Sequence, residues 1–305
     1  MNDSLGVTVQ AAKPSEERRG GCLCGAVRYR VRGDFSQPNP CHCHMCRRYH
    51  GAPGVFIGTR RELVDLTGEG EIVWFSASAK AERGSCRQCG SKLFWRSKDG
   101  TDMDVTIGSL DRRHDLRLRA HIWVDHRGDY EAFNDDLPKY AQSSFRNGEP
   151  VEPLAELEPM APAAAPAKSG GCQCGAVRFD TSAAFEDVVV CHCAQCYHWH
   201  GFAGAYSAAP QTALNIHQPD QVVWFAASPD LRRGFCRVCT SCLFMQPLQQ
   251  GEATEKIFIS AGALDAPTGL KTVREIFLSE DDASYRMSEG LIRAASGWSS
   301  AASSF

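Results

Sequence analysis

The chain has 305 residues, of which 43% are hydrophobic and 23% charged, and its formal net charge is −3. This length allows two domains of ordinary size, each with a core of its own. We find neither a signal-peptide pattern nor an apolar run of about 18 residues, and no basic excess, so we expect a cytoplasmic protein without membrane or nucleic-acid partners.

In chain order, residues 1–19 are polar and predict a flexible tail, and a first domain follows over 20–148. Val27, Tyr29 and Val31 alternate with arginines, which is typical of a strand with one buried face. Similar short runs predict strands at 55–57, 72–75, 92–95, 103–107 and 118–124. Short strands separated by turn residues predict an all-β fold, and the absence of a helical stripe predicts short helices. Prolines make 149–169 a semi-rigid linker, and 298–305 is a second flexible tail.

The cysteines of the first half recur in the second half at a constant offset of 150 residues. Pairs such as Trp74-Phe75 and Trp224-Phe225 keep the same offset, so 170–297 is a second copy of the first domain. The offset then grows to 154 at Leu264, which predicts a hairpin lengthened near Gly251. The sequence leaves open whether the two domains pack as an intramolecular pseudo-dimer.

The fifteen cysteines fall into C-x-C, C-x-C-x2-C and C-x2-C clusters, which are spacings typical of metal ligands. A disulfide framework is the alternative, but it is disfavoured in a chain of this length without a signal peptide. We therefore predict zinc as the cofactor, with up to four ions per chain and two per domain.

Four cysteines of each domain predict a closed structural site, because tetrahedral zinc takes four donors. In the first domain Cys22 and Cys24, curled by flanking glycines, join Cys86 and Cys89 from a distant segment. The corresponding set of the second domain is Cys172, Cys174, Cys236 and Cys239. Loss of this zinc is expected to unfold the domain, because structural zinc binding is coupled to folding.

The remaining three cysteines of each domain predict an open zinc site with one position left for water or substrate. They are Cys41, Cys43 and Cys46 in the first domain, and Cys191, Cys193 and Cys196 in the second. A histidine at 42, 44 or 50 is an alternative fourth ligand. Cys242 is the odd thiol, interpreted as a core or surface residue rather than a ligand.

Two arginines follow the open site of the first domain. Arg47 and Arg48 are candidate substrate-binding residues, since a guanidinium can hold a substrate carboxylate in a bidentate contact. Two solvated arginines on a turn are the alternative. His121 is interpreted as a solvent-facing strand residue or, alternatively, as the wall of a substrate cleft.

Gly-Cys-x-Cys-Gly-Ala-Val, Cys-His-Cys-x2-Cys and Cys-x2-Cys occur in this order in both halves. This combination resembles the glutathione-dependent formaldehyde-activating enzyme family, which also includes centromere protein V. The resemblance covers about 20–145 and 170–296, and His121-Ile122-Trp123 is similar to the family's closing segment. It implies a β-tent zinc fold, with a catalytic zinc at Cys41, Cys43 and Cys46.

The resemblance also implies an activity, namely a carbon–sulfur lyase that joins a thiol such as glutathione to an aldehyde such as formaldehyde. In the second copy Arg47-Arg48 becomes Tyr197-His198, so the first domain is the better catalytic candidate. A zinc-stapled binding module without turnover, resembling centromere protein V, is the alternative function.

Overall fold

The computed structural model describes residues 17–33, 35–112, 115–131, 133, 135–146, 149–160, 163–278 and 292–294. In these ranges the chain is mostly β, with two α-helices of seven residues each, so the all-β prediction with short helices is confirmed. Residues 1–16 of the first predicted tail and the whole tail 298–305 lie outside these ranges. The remaining domain boundaries stay predictions, and the first strand begins at Arg18, inside the predicted tail.

The first copy contains the following elements in chain order: β1 (Arg18–Gly21), β2 (Arg28–Val31), β3 (Asn39–Cys41), α1 (His44–His50), β4 (Gly54–Ile57), β5 (Val64–Thr67), β6 (Ile72–Ser76), β7 (Ala81–Cys86), β8 (Lys92–Ser97) and β9 (Met103–Thr106). A hairpin of β10 (Phe145–Arg146) and β11 (Glu149–Pro150) follows. Short 3₁₀ helices lie at Arg61–Leu63, Glu69–Glu71, Ile107–Ser109 and Val124–His126.

The second copy repeats this order with longer strands: β12 (Ser169–Gly171), β13 (Arg178–Thr181), β14 (Val188–Cys191), α2 (Ala194–His200), β15 (Gly204–Pro210), β16 (Leu214–Ile216), β17 (Val222–Ser228), β18 (Leu231–Cys236), β19 (Cys242–Gln249), β20 (Glu252–Ala253), β21 (Lys256–Ser260), β22 (Thr272–Ile276) and β23 (Ile292–Ala294). Its 3₁₀ helices lie at Gln211–Ala213, Pro219–Gln221 and Ala261–Ala263.

Each copy consists of a small sheet and a large sheet. In the first copy these have the strand orders β1-β2-β5 and β3-β4-β9-β8-β7-β6. Strand β2 buries Tyr29 and Val31 and exposes the arginines between them, as its alternation predicts. In the second copy the small sheet is β12-β13-β16, and the large sheet is β17-β18-β19-β21-β15-β14-β22-β23. The apolar faces of both copies contribute to one shared cluster of buried side chains.

The strand predicted at 118–124 is wrong, because the described residues there form only isolated bridges and a 3₁₀ helix. The segment runs beside β3, where Ile122 N donates to Pro40 O and His42 N donates to Ile122 O. Pro38 and Pro40 have no backbone N–H, so the ladder between these segments stays incomplete. The second copy has no proline at the equivalent positions, and its segment forms β22.

The predicted four-residue insertion lies between β19 and β21, where β20 pairs with the end of β19. Gln250 and Gly251 form the turn with φ values of 52° and 85°, the left-handed conformation that a tight hairpin requires. No helix in the described ranges is long and apolar enough to cross a membrane.

The two copies contact each other through equivalent residues. His50 Nδ1–H donates to His200 O at 2.7 Å, and His200 Nδ1–H donates to His50 O. Helix α1 packs on the 3₁₀ helix Ala261–Ala263 of the second copy, and α2 packs on the 3₁₀ helix Ile107–Ser109 of the first. Gly108 N donates to Gly201 O and Gly262 N donates to Gly51 O, so the contacts follow a twofold pattern.

Glycine is required at this contact because the two backbones approach closely. A Cβ on Gly108 would lie 2.3 Å from Tyr197 O, and one on Gly262 would lie 2.2 Å from Arg47 O. The ends of α1 and α2 therefore depend on the opposite copy for their packing.

Candidate metal centres and cavity

Two sets of four cysteines bring their sulfur atoms within 4.8 Å of one another. The first set is Cys22, Cys24, Cys86 and Cys89, and the second is Cys172, Cys174, Cys236 and Cys239. The sulfurs of Cys22 and Cys24 lie 3.5 Å apart, and those of Cys24 and Cys86 lie 3.7 Å apart. Four sulfurs about 2.3 Å from one tetrahedral zinc are roughly 3.8 Å from each other, so these donors fit zinc.

Local backbone geometry brings the distant members of the first set together. Cys22 directly follows β1, and Gly25 turns the chain back with a φ of 81°. Cys86 ends β7, and Cys89 lies in the turn before β8. Because Cys24 and Cys86 are 62 positions apart, a metal ion held here joins segments that would otherwise separate on unfolding.

Two sets of three cysteines, Cys41, Cys43 and Cys46 in the first copy and Cys191, Cys193 and Cys196 in the second, also lie within 4.8 Å of one another. In the first copy Cys41 ends β3, Cys43 is the N-cap residue of α1, and Cys46 lies in its first turn. No histidine joins either set among the residues that the structure describes. Three sulfurs without a fourth protein donor fit an open zinc site.

The electrostatic environment of the first three-thiol set favours a thiolate. Hydrogen bonds from Cys41 and Cys43 lower the pKa of Cys46, and the charge of Arg83 lowers it further. Arg83 is 4% exposed, and its Nη2 donates to Cys46 Sγ at 3.3 Å. Burial alone would lower the pKa of Arg83, but the neighbouring cysteines raise it, so the guanidinium stays charged.

A cavity of about 390 Å³ opens onto the three-thiol set of the first copy. Apolar side chains form much of its wall, among them Phe56, Trp95, Ile122 and Trp123. Its polar lining includes Asn39, Arg83, Asp104 and His126, besides the three cysteines. A small polar molecule inside it would contact both the thiols and the apolar wall.

In the second copy, apolar side chains occupy several of the equivalent positions. At the repeat offsets, Val189 replaces Asn39, Met245 replaces Trp95, Phe258 replaces Asp104, and Phe277 replaces Trp123. These four side chains pack with Cys191, Cys196, Tyr206 and Ile276 in one hydrophobic cluster. The cysteines are the same in both copies, but their surroundings differ.

Arg47 and Arg48, the predicted substrate contacts, are buried against protein groups. Arg47 donates to His42 O and His126 O, and Arg48 donates to Gly171 O and Ala263 O of the second copy. Arg48 also forms an ion pair with Asp265. Neither arginine is among the residues that line the cavity. The structure therefore gives Arg48 a role in joining the copies, and we do not assign either arginine to substrate.

The histidines near the clusters also have protein partners. His42 Nδ1–H donates to the buried carboxylate of Glu131, and His42 Nε2 lies 2.9 Å from His121 Nδ1. His121 is fully buried and also contacts Asp135 at 2.9 Å, so the interpretation of a solvent-facing histidine is wrong. Only His44 lines the cavity among the three histidines considered as fourth ligands.

Arg83, Asp104 and Asn39 were missed as site residues in the sequence analysis. Arg83-Gly84 does recur as Arg233-Gly234, but a conserved offset alone does not distinguish a site residue from a core residue. Asp104 is 3% exposed and lies in a strand that was predicted from its apolar residues alone. Both Asn39 and Asp104 are polar in the first copy and have apolar equivalents in the second. A position-by-position comparison of the two copies would therefore identify them as candidate site residues.

Comparison with known protein families identifies the family of this chain. The family model described as glutathione-dependent formaldehyde-activating enzyme matches residues 17–126 and 167–280. The chain belongs to this family and carries its domain twice, which confirms the resemblance found in the sequence.

Individual relatives are more distant. A stretch of 86 residues is 31% identical to an uncharacterized lyase of Schizosaccharomyces pombe, and it spans 28% of this chain but only 61% of that protein. A putative glutathione-dependent formaldehyde-activating enzyme of Halomonas elongata is 27% identical over 150 residues, 45% of this chain and 91% of that protein. A crystal structure of a Rhodobacter sphaeroides protein aligns with 41% of this chain and 98% of its own, at 17% identity and a TM-score of 0.27.

Proposed function

We propose that the chain is a zinc-dependent enzyme that joins a thiol to an aldehyde, with the first copy as the catalytic domain. The observation that carries this proposal is the cavity of about 390 Å³ beside Cys41, Cys43 and Cys46. Membership of the family and the names of the relatives support glutathione and formaldehyde as the thiol and the aldehyde. Cytoplasmic location and the absence of a nucleic-acid partner stay predictions.

Each of the four cysteine sets would hold one zinc ion, which gives four per chain. The four-thiol sets would hold zinc as a structural element, because no ligand position remains free. At a three-thiol set, the three sulfurs would hold a zinc ion that would supply a Lewis acid.

The reaction needs positioning and proton transfer but no redox step. The thiol sulfur adds to the aldehyde carbon, one C–S bond forms, the C=O bond becomes a C–O single bond, and the thiol proton ends on oxygen. Phe56, Trp95 and Trp123 would keep water from the reactants. Holding thiol and aldehyde together in this cavity turns an encounter in solution into a reaction between neighbours.

Matched serine variants test which copy reacts. Cys43→Ser should abolish formation of the thiol–aldehyde adduct, whereas Cys193→Ser should keep most of it. Both cysteines are N-cap residues, and serine is a good N-cap, so neither helix loses its start. Greater damage from Cys193→Ser would reverse the assignment. Wild-type protein that binds four zinc ions yet turns over no thiol and aldehyde would favour the binding module resembling centromere protein V.

A further inference from the structure

In the second copy, the hydroxyl group of Tyr206 accepts a hydrogen bond from the buried Arg233. Arg233 Nη1 donates to Tyr206 Oη at 2.9 Å, while Arg233 Nη2 points to Cys196 Sγ at 3.5 Å. Tyr206 Oη also lies 2.6 Å from His200 Nε2 and 3.7 Å from Cys196 Sγ. An oxygen atom therefore sits beside the three-thiol set and accepts a hydrogen bond from the guanidinium.

The first copy keeps the arginine and lacks the hydroxyl. Phe56 stands at the position of Tyr206, and its ring meets His50 at 5.3 Å and 85°, close to the 5.2 Å and 77° of Tyr206 on His200. Arg83 Nη2 still donates to Cys46 Sγ, but the buried Nη1 has no hydrogen-bond partner in the part of the chain that the structure describes. Nε is unpartnered in both arginines among the described residues, so the two guanidinium groups differ at Nη1. His50 Nε2 likewise has no partner there, whereas His200 Nε2 has Tyr206 Oη.

An unpartnered donor on a buried guanidinium is costly unless a ligand satisfies it. Both Arg83 and Phe56 line the cavity, and Nη1 itself is buried behind this wall, so a molecule held there reaches the donor once either side chain shifts slightly. In the second copy the equivalent polar group is satisfied from within, and several of the positions that line the cavity of the first copy carry apolar side chains. The unpartnered donor thus occurs in the copy whose cavity has a polar lining.

We propose that Arg83 is an oxygen-binding catalytic residue of the first copy, which donates from Nη1 to the aldehyde-derived oxygen of the substrate. This inference rests on the proposed function for the identity of the ligand. When sulfur adds to the carbonyl carbon, negative charge develops on the oxygen, and a fixed guanidinium in a site shielded from water stabilises it. Tyr206 is the built-in counterpart of that oxygen in the second copy.

Phe56→Tyr is the sharpest test, because it keeps Arg83 and supplies a hydroxyl to its free donor. We expect this variant to melt at a higher temperature than the wild type and to lose adduct formation at least tenfold in kcat/KM. Arg83→Met should lose about 100-fold in kcat/KM, the usual loss for one oxyanion donor. Arg233→Met, the matched change in the second copy, should stay within about twofold of the wild type. Zinc content measured on each variant controls for loss of metal.

Formate, a small oxyanion that requires no turnover, separates this inference from the proposed function. Formate should raise the melting temperature of the wild type and of Arg233→Met, but not that of Phe56→Tyr or Arg83→Met. If formate stabilises only the first two and no protein forms the adduct, the oxygen-binding position stands and the proposed function fails. If formate acts equally on all four, or Phe56→Tyr reacts at the wild-type rate, the role of Arg83 is refuted.

Discussion

The histidine pair between the copies predicts that mild acid destabilises the protein. Burial lowers the pKa of His50 to about 3 and that of His200 to about 4. An unfolded histidine has a pKa of about 6.5 and takes up a proton more readily. The unfolded state therefore binds more protons below pH 6.5, so stability is full above that pH and falls as the pH decreases towards 3–4.

The magnitude follows from these pKa values. Between pH 7.5 and 5.0 each histidine costs about 2 kcal/mol of unfolding free energy, and the pair costs about 4 kcal/mol. This is a large share of the 5–15 kcal/mol typical of folded proteins. Protonation of either imidazole at Nε2 also creates a buried positive charge. The positive charge of Arg83 lies near His50, and that of Arg233 lies near His200, so both repel the added proton.

The assay compares urea unfolding of the wild type and a double asparagine variant, His50→Asn with His200→Asn, at pH 7.5 and 5.0. Asparagine can donate to the same backbone carbonyls as histidine Nδ1 but does not titrate in this range. The variant is expected to be less stable at pH 7.5 because it loses packing. Protonation of thiolates and of other histidines occurs in both proteins, so it cancels when the two pH differences are subtracted.

The subtracted pH effect should be about 4 kcal/mol, with the wild type losing more stability than the variant. Equal losses in the two proteins would show that neither histidine stays neutral in the folded state, and the reasoning from burial would be refuted.

Four further predictions concern metal and packing. Carefully reduced protein should contain four zinc ions by elemental analysis, and Cys86→Ser should lose the fold of the first copy in circular dichroism while Cys43→Ser keeps it. Gly262→Ala should lower the free energy of unfolding by about 1–3 kcal/mol because its Cβ meets a backbone carbonyl oxygen; Gly70→Ala, with open space around it, is the control in the same urea titration. Arg48→Met should cost about 3 kcal/mol in that titration, since it leaves buried acceptors of the second copy unpaired.

The features predictable from the sequence are those encoded by spacing. Cys22 and Cys86 could be grouped because the repeat fixes the same cysteine spacing twice, and the structure brings their sulfurs into one set with Cys24 and Cys89. The strand at Arg28–Val31 was predictable because alternation reports one buried face. Neither prediction requires knowledge of which distant segments pack together in the fold.

The wrong or missing predictions all depend on contacts between distant segments. Arg48 follows Cys46 directly, but its partners are 123 and 215 positions away in the second copy. His121 alternates as a surface residue would, yet it packs against His42 through a segment whose path depends on two prolines. Adjacency along the chain therefore suggested a substrate contact for Arg48, where the fold places contacts between the copies.

The division of labour between the copies follows from substitutions that are close in space but scattered in sequence. Asn39 and Asp104 line the cavity of the first copy, and their equivalents Val189 and Phe258 pack beside the second three-thiol set. An apolar site can keep its cysteines and still lack the polar groups that would hold a substrate. Because α1 carries Cys46 and packs on the 3₁₀ helix Ala261–Ala263, the second copy helps to hold the first site in place. If the first site alone reacts, as we propose, an apolar second site costs no activity, and the interface gives a physical reason to retain the second copy as a scaffold.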